Sequence, residues 1–279
     1  MNEQPSAGNW LHDLLHRLPQ ARVAVFGDFA LDAYWLIGDA DRELSVETGL
    51  PVRRVRQQQY SLGGAANVAA NLAALGVGEV HVAGLVGDDL FGREMRTRLT
   101  GIGVNHEHLV AGVSDWQTAV FGKPYLGDDE QNRIDFGAFN ALDANAADLL
   151  AEHLDALLDR VDIVILNQQM PGGQSPPAMI ERLNTLIADH PDTRFIVDSR
   201  HRPHLYRGAM LKINAHEAAA YLGRPRRLDE RVAADDARGF AAELHEGLGR
   251  AVFLTRGENG LIVMDRSEMH EVPGIQSTE

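Results

Sequence analysis

Residues 61–76 read SLGGAANVAANLAALG. Two adjacent glycines, Gly63 and Gly64, precede a run in which Val68, Leu72 and Leu75 recur on one helical face, and Gly76 stands where a C-terminal cap belongs. The stretch predicts a helix that opens straight from a glycine pair, with free backbone N–H groups in its first turn. Upstream, ARVAVFGDFALD at 21–32 contains a short continuous apolar run, 23–26, of the kind found in buried parallel strands, stopped by Gly27 and Asp28. Downstream, 80–85 is a second buried strand and 88–99 the next helix. The alternation continues with helices at 144–158, 177–190, 216–222 and 229–248, and strands at 162–167, 193–198, 209–214 and 251–255. It closes with a hairpin, 260–264 and 268–272, around Asp265 and Arg266. Strands alternating with helices predict an α/β fold with a parallel sheet covered on both faces.

Two stretches break this rhythm. Residues 36–60, including PVRRVRQQQY, and 113–137, with QTAVFGKPYL and NRIDF around a GDDEQ turn, mix charges with Val and Leu. They read as exposed strands and predict a small sheet projecting from the main domain. Residues 9–19 predict a short amphipathic helix, with Trp10, Leu11, Leu14, Leu15 and Leu18 on one side and Pro19 closing it.

The 279 residues suit one large α/β domain or two small ones. Asp and Glu number 40 against 26 Lys and Arg, a formal charge of −14, which argues against nucleic acid as the main partner. A local site can still oppose that sign and hold a phosphorylated ligand. The absence of cysteine excludes disulfides, thiolate metal sites and cysteine nucleophiles. No apolar run reaches the roughly 18 residues of a membrane span, and the first twenty residues lack the pattern of a secretory signal. The expectation is a cytoplasmic protein with neither membrane nor nucleic acid as partner. There is no G-x-x-x-x-G-K-[ST], no G-x-G-x-x-G after the first strand, no H-E-x-x-H and no G-x-S-x-G.

In open parallel sheets, ligands bind beyond the carboxyl ends of strands. Polar residues gather there repeatedly: Asp28 and Asp32 after the first strand, Asn167 and Gln168 after 162–166, Asp198 after 194–197, Asn214 and Glu217 after 211–213, and Thr255, Gly257 and Gly260 after 251–254. Any one of them reads equally well as a turn or a cap. Together they suit a polyhydroxylated ligand, whose vicinal hydroxyls pair with carboxylates and amides, and a phosphate at a helix N-terminus.

Four pieces in order, GDFALD at 27–32, GGAANVAANLAALG at 63–76 with GLVGDDLFG at 84–92, KINAHE at 212–217 and TRGENG at 255–260, resemble the ribokinase (PfkB) family of carbohydrate kinases. The likeness covers the chain after residue 20, and LDAYW with the GGAANVA run makes it closest to the heptose-phosphate kinases. The resemblance implies a ribokinase-like three-layer core with a mainly parallel sheet, plus a small β-sheet lid built from about 36–60 and 113–137. Residues 1–20 would then be an N-terminal helical extension and 21–279 the kinase domain, C-terminally incomplete. It also implies transfer of the ATP γ-phosphoryl group to a hydroxyl of a sugar or sugar phosphate, with Mg²⁺, and a homodimer through the lid.

By matching motif positions, Asp28, Asp32, Gly63, Gly64 and Asn67 bind the sugar. Arg133 in NRID contacts a substrate phosphate or else pairs with Asp135 or Asp128. Asn214, Glu217, Thr255, Gly257 and Gly260 bind the nucleotide, with Glu217 acting through Mg²⁺ and its waters. Two departures bear on the choice of sugar. NQQMPGG at 167–173 stands where the heptose-phosphate kinases carry an acidic residue and a lysine, and VDSR at 197–200 replaces VDPK, putting Arg200 where lysine is usual.

The family's Gly-Ala-Gly-Asp element, which supplies the anion hole and the catalytic base, is not among the 279 residues. Motif order places it shortly after 271–276, so the base is expected beyond Glu279 and no catalytic residue is assigned within the sequence. The expectation is therefore a chain that by itself has little or no kinase activity, with exposed apolar sheet surface. The alternatives are a non-catalytic sugar-binding or regulatory module, or a remnant of such a kinase.

Overall fold

The glycine-led helix and the strands around it form as read, and they order the rest of the chain. The computed structural model describes residues 9–38, 43–113, 115–227 and 229–275, without the side chains of Asn9 and Trp10. The start of the N-terminal extension, the side chain of Trp10 and the lid stretch 39–42 thus lie outside the described residues. So does Glu279, with the three residues before it, and the expectation of a catalytic base following Glu279 is not tested by the structure. In chain order the elements are α1 (Asn9–Arg17), β1 (Arg22–Gly27), β2 (Phe29–Ile37), β3 (Val55–Gly64), α2 (Ala65–Ala74), β4 (Glu79–Val86) and α3 (Leu90–Gly101). Next come β5 (Asn105–Ala111), β6 (Ala119–Leu126), β7 (Asp129–Glu130), β8 (Ile134–Phe136), α4 (Ala144–Leu158), β9 (Ile163–Gln168), α5 (Pro177–Asp189) and β10 (Arg194–Ser199). The last are β11 (Met210–Asn214), α6 (Ala215–Tyr221), α7 (Ala234–Leu248), β12 (Val252–Thr255), β13 (Leu261–Asp265) and β14 (Glu268–Val272).

The main sheet has the order β14-β13-β12-β11-β10-β9-β1-β4-β5. β12 through β5 run parallel, and β13 and β14 close one edge antiparallel. A second sheet, β3-β2-β6-β7 with β8 on β6, is the expected lid. It begins at Phe29, not near residue 36, because β2 leaves β1 after a single intervening residue, Asp28. Among the described residues no helix is long and apolar enough to cross a membrane.

Burial along the strands shows how the layers sit. In β1 and β4 successive residues are buried on both faces, as continuous apolar runs require. One face packs on α4 and the rest of the larger core, and the other on α2 and α3. Leu150, Leu154 and Leu157 of α4 are fully buried, each contributing about 1.5–3 kcal/mol by burial. From β9 to β13 the pattern alternates instead. Val164, Val197, Leu211, Leu254 and Ile262 are buried toward α4–α7, whereas Ile163, Ile165, Ile196, Met210, Phe253 and Val263 are only half-buried and join neither core. The expectation of a sheet covered on both faces therefore holds at β1 and β4 and fails from β9 to β13, where one apolar face is only half-covered among the described residues. Such a face promotes self-association. Sedimentation velocity is expected to show concentration-dependent association that the double substitution Ile196→Lys and Phe253→Lys reduces.

The N-terminal helix α1 forms, but Leu11, Leu14 and Leu15 remain 47–51% exposed, so its apolar side is not spent on the core. β5, which the spacing of apolar residues does not reveal, carries His108, whose Nδ1 lies 3.0 Å from Nδ1 of His153 on α4. Only one proton fits between those nitrogens. Burial, then the neighbouring His153, hold the His108 imidazole below its ordinary value. The fold thus favours the neutral ring, and the stability it contributes is present above the unfolded value of about 6.5. It is lost as pH falls through the lower folded value. Melting temperature is expected to drop between pH 7 and pH 5, less steeply in His108→Asn.

Candidate active site

The carboxyl rim of the main sheet carries two groups of polar side chains. The first is where β1 passes into the lid. Asp28 sits in that joint, 3% exposed. Its Oδ2 accepts the N–H groups of Gln169 and Met170, and its Oδ1 that of Gln174, each at 2.8 Å. Burial raises the carboxyl pKa despite these donors. Asp28 thus anchors the 169–174 loop; the expectation that it holds substrate is not tested by the structure. From that loop Gln174 clamps β4, accepting from Leu85 N at 2.6 Å and donating to Leu85 O at 3.0 Å. Gly64, at φ +54°, passes against the Asp28 carbonyl, where a Cβ would collide. Ala65, the first residue of α2, donates its N–H to that same carbonyl.

The GLVGDDLFG motif has a similar task. Asp89 caps α3 by accepting from Gly92 N at 2.8 Å, and also accepts from Thr118 N at 2.9 Å, just before β6. The lid is thereby fastened to the main domain at both roots.

Asp32 lies on β2, with its side chain on the lid face opposite the core. The inner face of the lid, Leu31, Ala33, Trp35 and Val120, packs toward Phe91 and Phe136. The outer face carries Asp32, Tyr34, Phe121, Lys123, Tyr125 and Arg133. Lys123 Nζ is 2.7 Å from Asp32 Oδ1 and 5.0 Å from the centroid of the Tyr34 ring. Gly63, on β3, leaves room for the carboxylate: a Cβ there would stand 2.9 Å from Asp32 Oδ2. Arg133 makes a two-pronged pair with Asp135, both at 2.7 Å, over the face of Phe121. Of the open alternatives for Arg133, the structure thus displays Asp135. Those hydrogen bonds raise the guanidinium pKa, and the charge of Asp32 adds to the effect. Asn67 is exposed in the first turn of α2.

The second group lines a cleft of about 970 Å³ at the carboxyl ends of β11 and β12, the size range of small-molecule sites. Asn214, Glu217, Thr255 and Gly257 all border it, beside Arg200, Arg231 and Arg256. Asn214 and Glu217 form a capping box on α6: Asn214 Oδ1 accepts Glu217 N at 2.9 Å, and Glu217 Oε2 accepts Asn214 N at 3.1 Å. Gly260 is the exception. At φ +81° it packs against the Val272 carbonyl of β14, closes the 256–260 turn and is not among the residues bordering the cleft. Arg231 and Arg256 give no signal in the sequence; Arg256 is only 13% exposed, and its Nε is buried without a partner among the described residues. Between the two groups, Asn167, Asp198 and Lys212 form a row across β9, β10 and β11. Lys212 Nζ lies 3.0 Å from Asp198.

A layered α/β core with a β lid rooted at the carboxyl rim, an acidic group on the lid and a cation-lined cleft beside it define a sugar-kinase type of fold. The model of the pfkB family of carbohydrate kinases matches residues 20–279, and the chain belongs to that family. Among curated relatives it is 33% identical over 259 residues to the Bifunctional protein HldE of Shewanella denitrificans and 34% identical over 255 residues to that of Shewanella amazonensis. Each match covers 90% of this chain and 50% of the relative, so the chain spans about half the length of the curated relatives it matches. Among solved structures, phosphofructokinase-2 from Escherichia coli in complex with fructose-6-phosphate superposes with a TM-score of 0.67 at 19% identity, covering 93% of this chain and 82% of that one. Ribokinase from Giardia lamblia superposes with a TM-score of 0.63 at 16% identity, covering 93% and 76%. These likenesses establish the ribokinase-like fold.

Proposed function

We propose that this chain provides the sugar site and the nucleotide site of an ATP-dependent kinase acting on a phosphorylated sugar, of the heptose-phosphate type that its motifs most resemble. The observation that carries this reading is the lid face: a carboxylate suited to vicinal hydroxyls stands beside two cations, Lys123 and Arg133, suited to a phosphate. Gly63 clears space for Asp32, and Asn67 adds an amide at the start of α2. ATP lies in the cleft at the carboxyl ends of β11 and β12, its phosphates near Arg200 and Arg256, with Thr255 and the Gly257 backbone along the nucleotide. The use of ATP supports a cytoplasmic location. A lid-to-lid dimer would pair through the exposed outer strand of the lid, β3 from Val55 to Gln59.

The residues fit a magnesium ion that travels with the nucleotide. Among the described residues no cluster of three or more His, Cys, Asp or Glu can cage an ion. A single carboxylate, Glu217, with one oxygen engaged in the capping box, suits a metal that keeps most of its waters and takes its other ligands from phosphate. When bound, the ion supplies charge neutralisation on the transferring phosphoryl group. This chain's part is to position: Asp32 orients the acceptor hydroxyl, the lid cations fix the far end of the sugar, and the cleft holds the donor.

The residues up to Glu279 contain no Gly-Ala-Gly-Asp, so a polypeptide of these residues alone has both ligand sites and no evident base. Loss of one anion-hole donor costs about 10²–10³-fold in typical enzymes. In an ADP-release assay with ATP, Mg²⁺ and a panel of hexose and heptose phosphates, this polypeptide is expected to bind substrate but to turn over far below the usual range of about 1–100 s⁻¹. Turnover within that range would show that the base resides among these residues.

A further inference from the structure

The outer face of the lid holds an arrangement that a simple sugar site does not need. Asp32 and Lys123 sit on adjacent parallel strands, β2 and β6, and close on each other as an ion pair of 2.7 Å, each side chain 22% exposed. Other charged groups on that face have hydrogen-bond partners of their own. Arg133 is held two-pronged by Asp135, and Glu130 accepts the Tyr125 hydroxyl at 2.8 Å. The ammonium of Lys123 pairs with Asp32, lies over the Tyr34 ring and is near enough to Tyr125 to act on its hydroxyl. Burial alone would lower the Lys123 pKa, but the hydrogen bond and charge of Asp32, together with Tyr34, outweigh it and the net shift is upward.

A sugar that approaches Asp32 with its hydroxyls must take the carboxylate from Lys123. If the sugar is neutral, a partly buried ammonium is left without an anion. If the sugar carries a phosphate within reach, the ammonium exchanges one anion for another, and both halves of the broken pair are satisfied.

We propose that the Lys123–Asp32 ion pair is a charge gate that admits phosphorylated sugars and turns away neutral ones. The inference rests on the reading of the lid face as the sugar site. Lys123 is thus a specificity-determining residue with two opposed effects: it attracts an anionic sugar, and it withholds Asp32 from a neutral one.

The test is calorimetric titration of the 279-residue chain and its Lys123→Met variant with hexose and heptose monophosphates and with the same sugars unphosphorylated. In the unmodified chain the phosphorylated member of a pair binds more tightly. In Lys123→Met its affinity is expected to fall about tenfold or more. The neutral sugar's affinity is expected to rise about two- to fivefold, as Asp32 is released from a partly exposed ion pair. Lys123→Arg, which can keep the pair, retains the original preference and shows that the effect is not a folding defect. If the phosphorylated sugar weakens while the neutral one weakens or stays unchanged, Lys123 is an ordinary phosphate ligand and the gate is wrong. If no sugar of either kind binds, or binding ignores Asp32→Ala, the sugar-site reading itself fails and takes the gate with it.

Discussion

Replacing Asp28 by alanine is expected to lower the free energy of unfolding by about 3–5 kcal/mol, a large share of the roughly 5–15 kcal/mol that stabilises a typical domain. The cause is local and countable. Three backbone N–H groups, of Gln169, Met170 and Gln174, lose their only described acceptor. Each buried donor left unpaired costs about 1–3 kcal/mol. The loop they hold also carries Gln174, which braces β4, and Gly173, whose missing side chain makes room for the carboxylate. Asp28→Asn keeps one acceptor oxygen and is expected to lose about half as much. Urea unfolding followed by circular dichroism measures both. An Asp28→Ala chain that unfolds at the same urea concentration as the unmodified one would remove Asp28 from its structural role and return it to the sugar.

Asp32→Ala is expected to do the reverse. Both carboxylates follow the first strand and lie four residues apart. Among the described residues, however, Asp32 accepts no backbone N–H, and its ion-pair partner is a side chain. Melting temperature is expected to change little. Affinity for a sugar phosphate is expected to fall about 100-fold, because two hydroxyls lose a charged acceptor worth about 1.5–3 kcal/mol each, partly compensated by water. Asp32→Asn, with one acceptor left, sits between. The pair of substitutions separates the acidic residue that builds the site from the one that serves it.

That separation is not legible in the sequence. Asp28 and Asp32 are equivalent as letters at the end of a strand. What distinguishes them is a loop more than 140 residues further on, which supplies donors to one and not the other. The same holds for Lys123. A lone lysine in a polar strand carries no signal, and its partnership with Asp32 exists only through the parallel register of β2 and β6. The TRGENG motif suggests Gly260 only as a nucleotide contact, and gives no sign of the turn it closes or of its packing on Val272.

The core strands and helices are readable because continuous apolar runs and helical spacing are local properties. β2 blurs into its neighbour because FALDAYWLI follows RVAVFG with no Gly-Pro punctuation beyond Gly27 and Asp28. β5 escapes because NHEHLVA is polar at four of seven positions. The half-covered face of β9–β13 is invisible for a different reason. Apolar runs such as IVIL look the same whether one face or two are covered, and only the alternating burial distinguishes them.

The most direct test is a crystal structure of the chain with a heptose or hexose monophosphate and a non-hydrolysable ATP analogue with Mg²⁺. The sugar hydroxyls are expected on Asp32, the sugar phosphate between Lys123 and Arg133 with the Lys123–Asp32 pair opened, and the nucleotide in the cleft bordered by Asn214, Thr255 and Gly257. A sugar bound away from the lid face, or a nucleotide outside that cleft, would contradict the assignment of both sites.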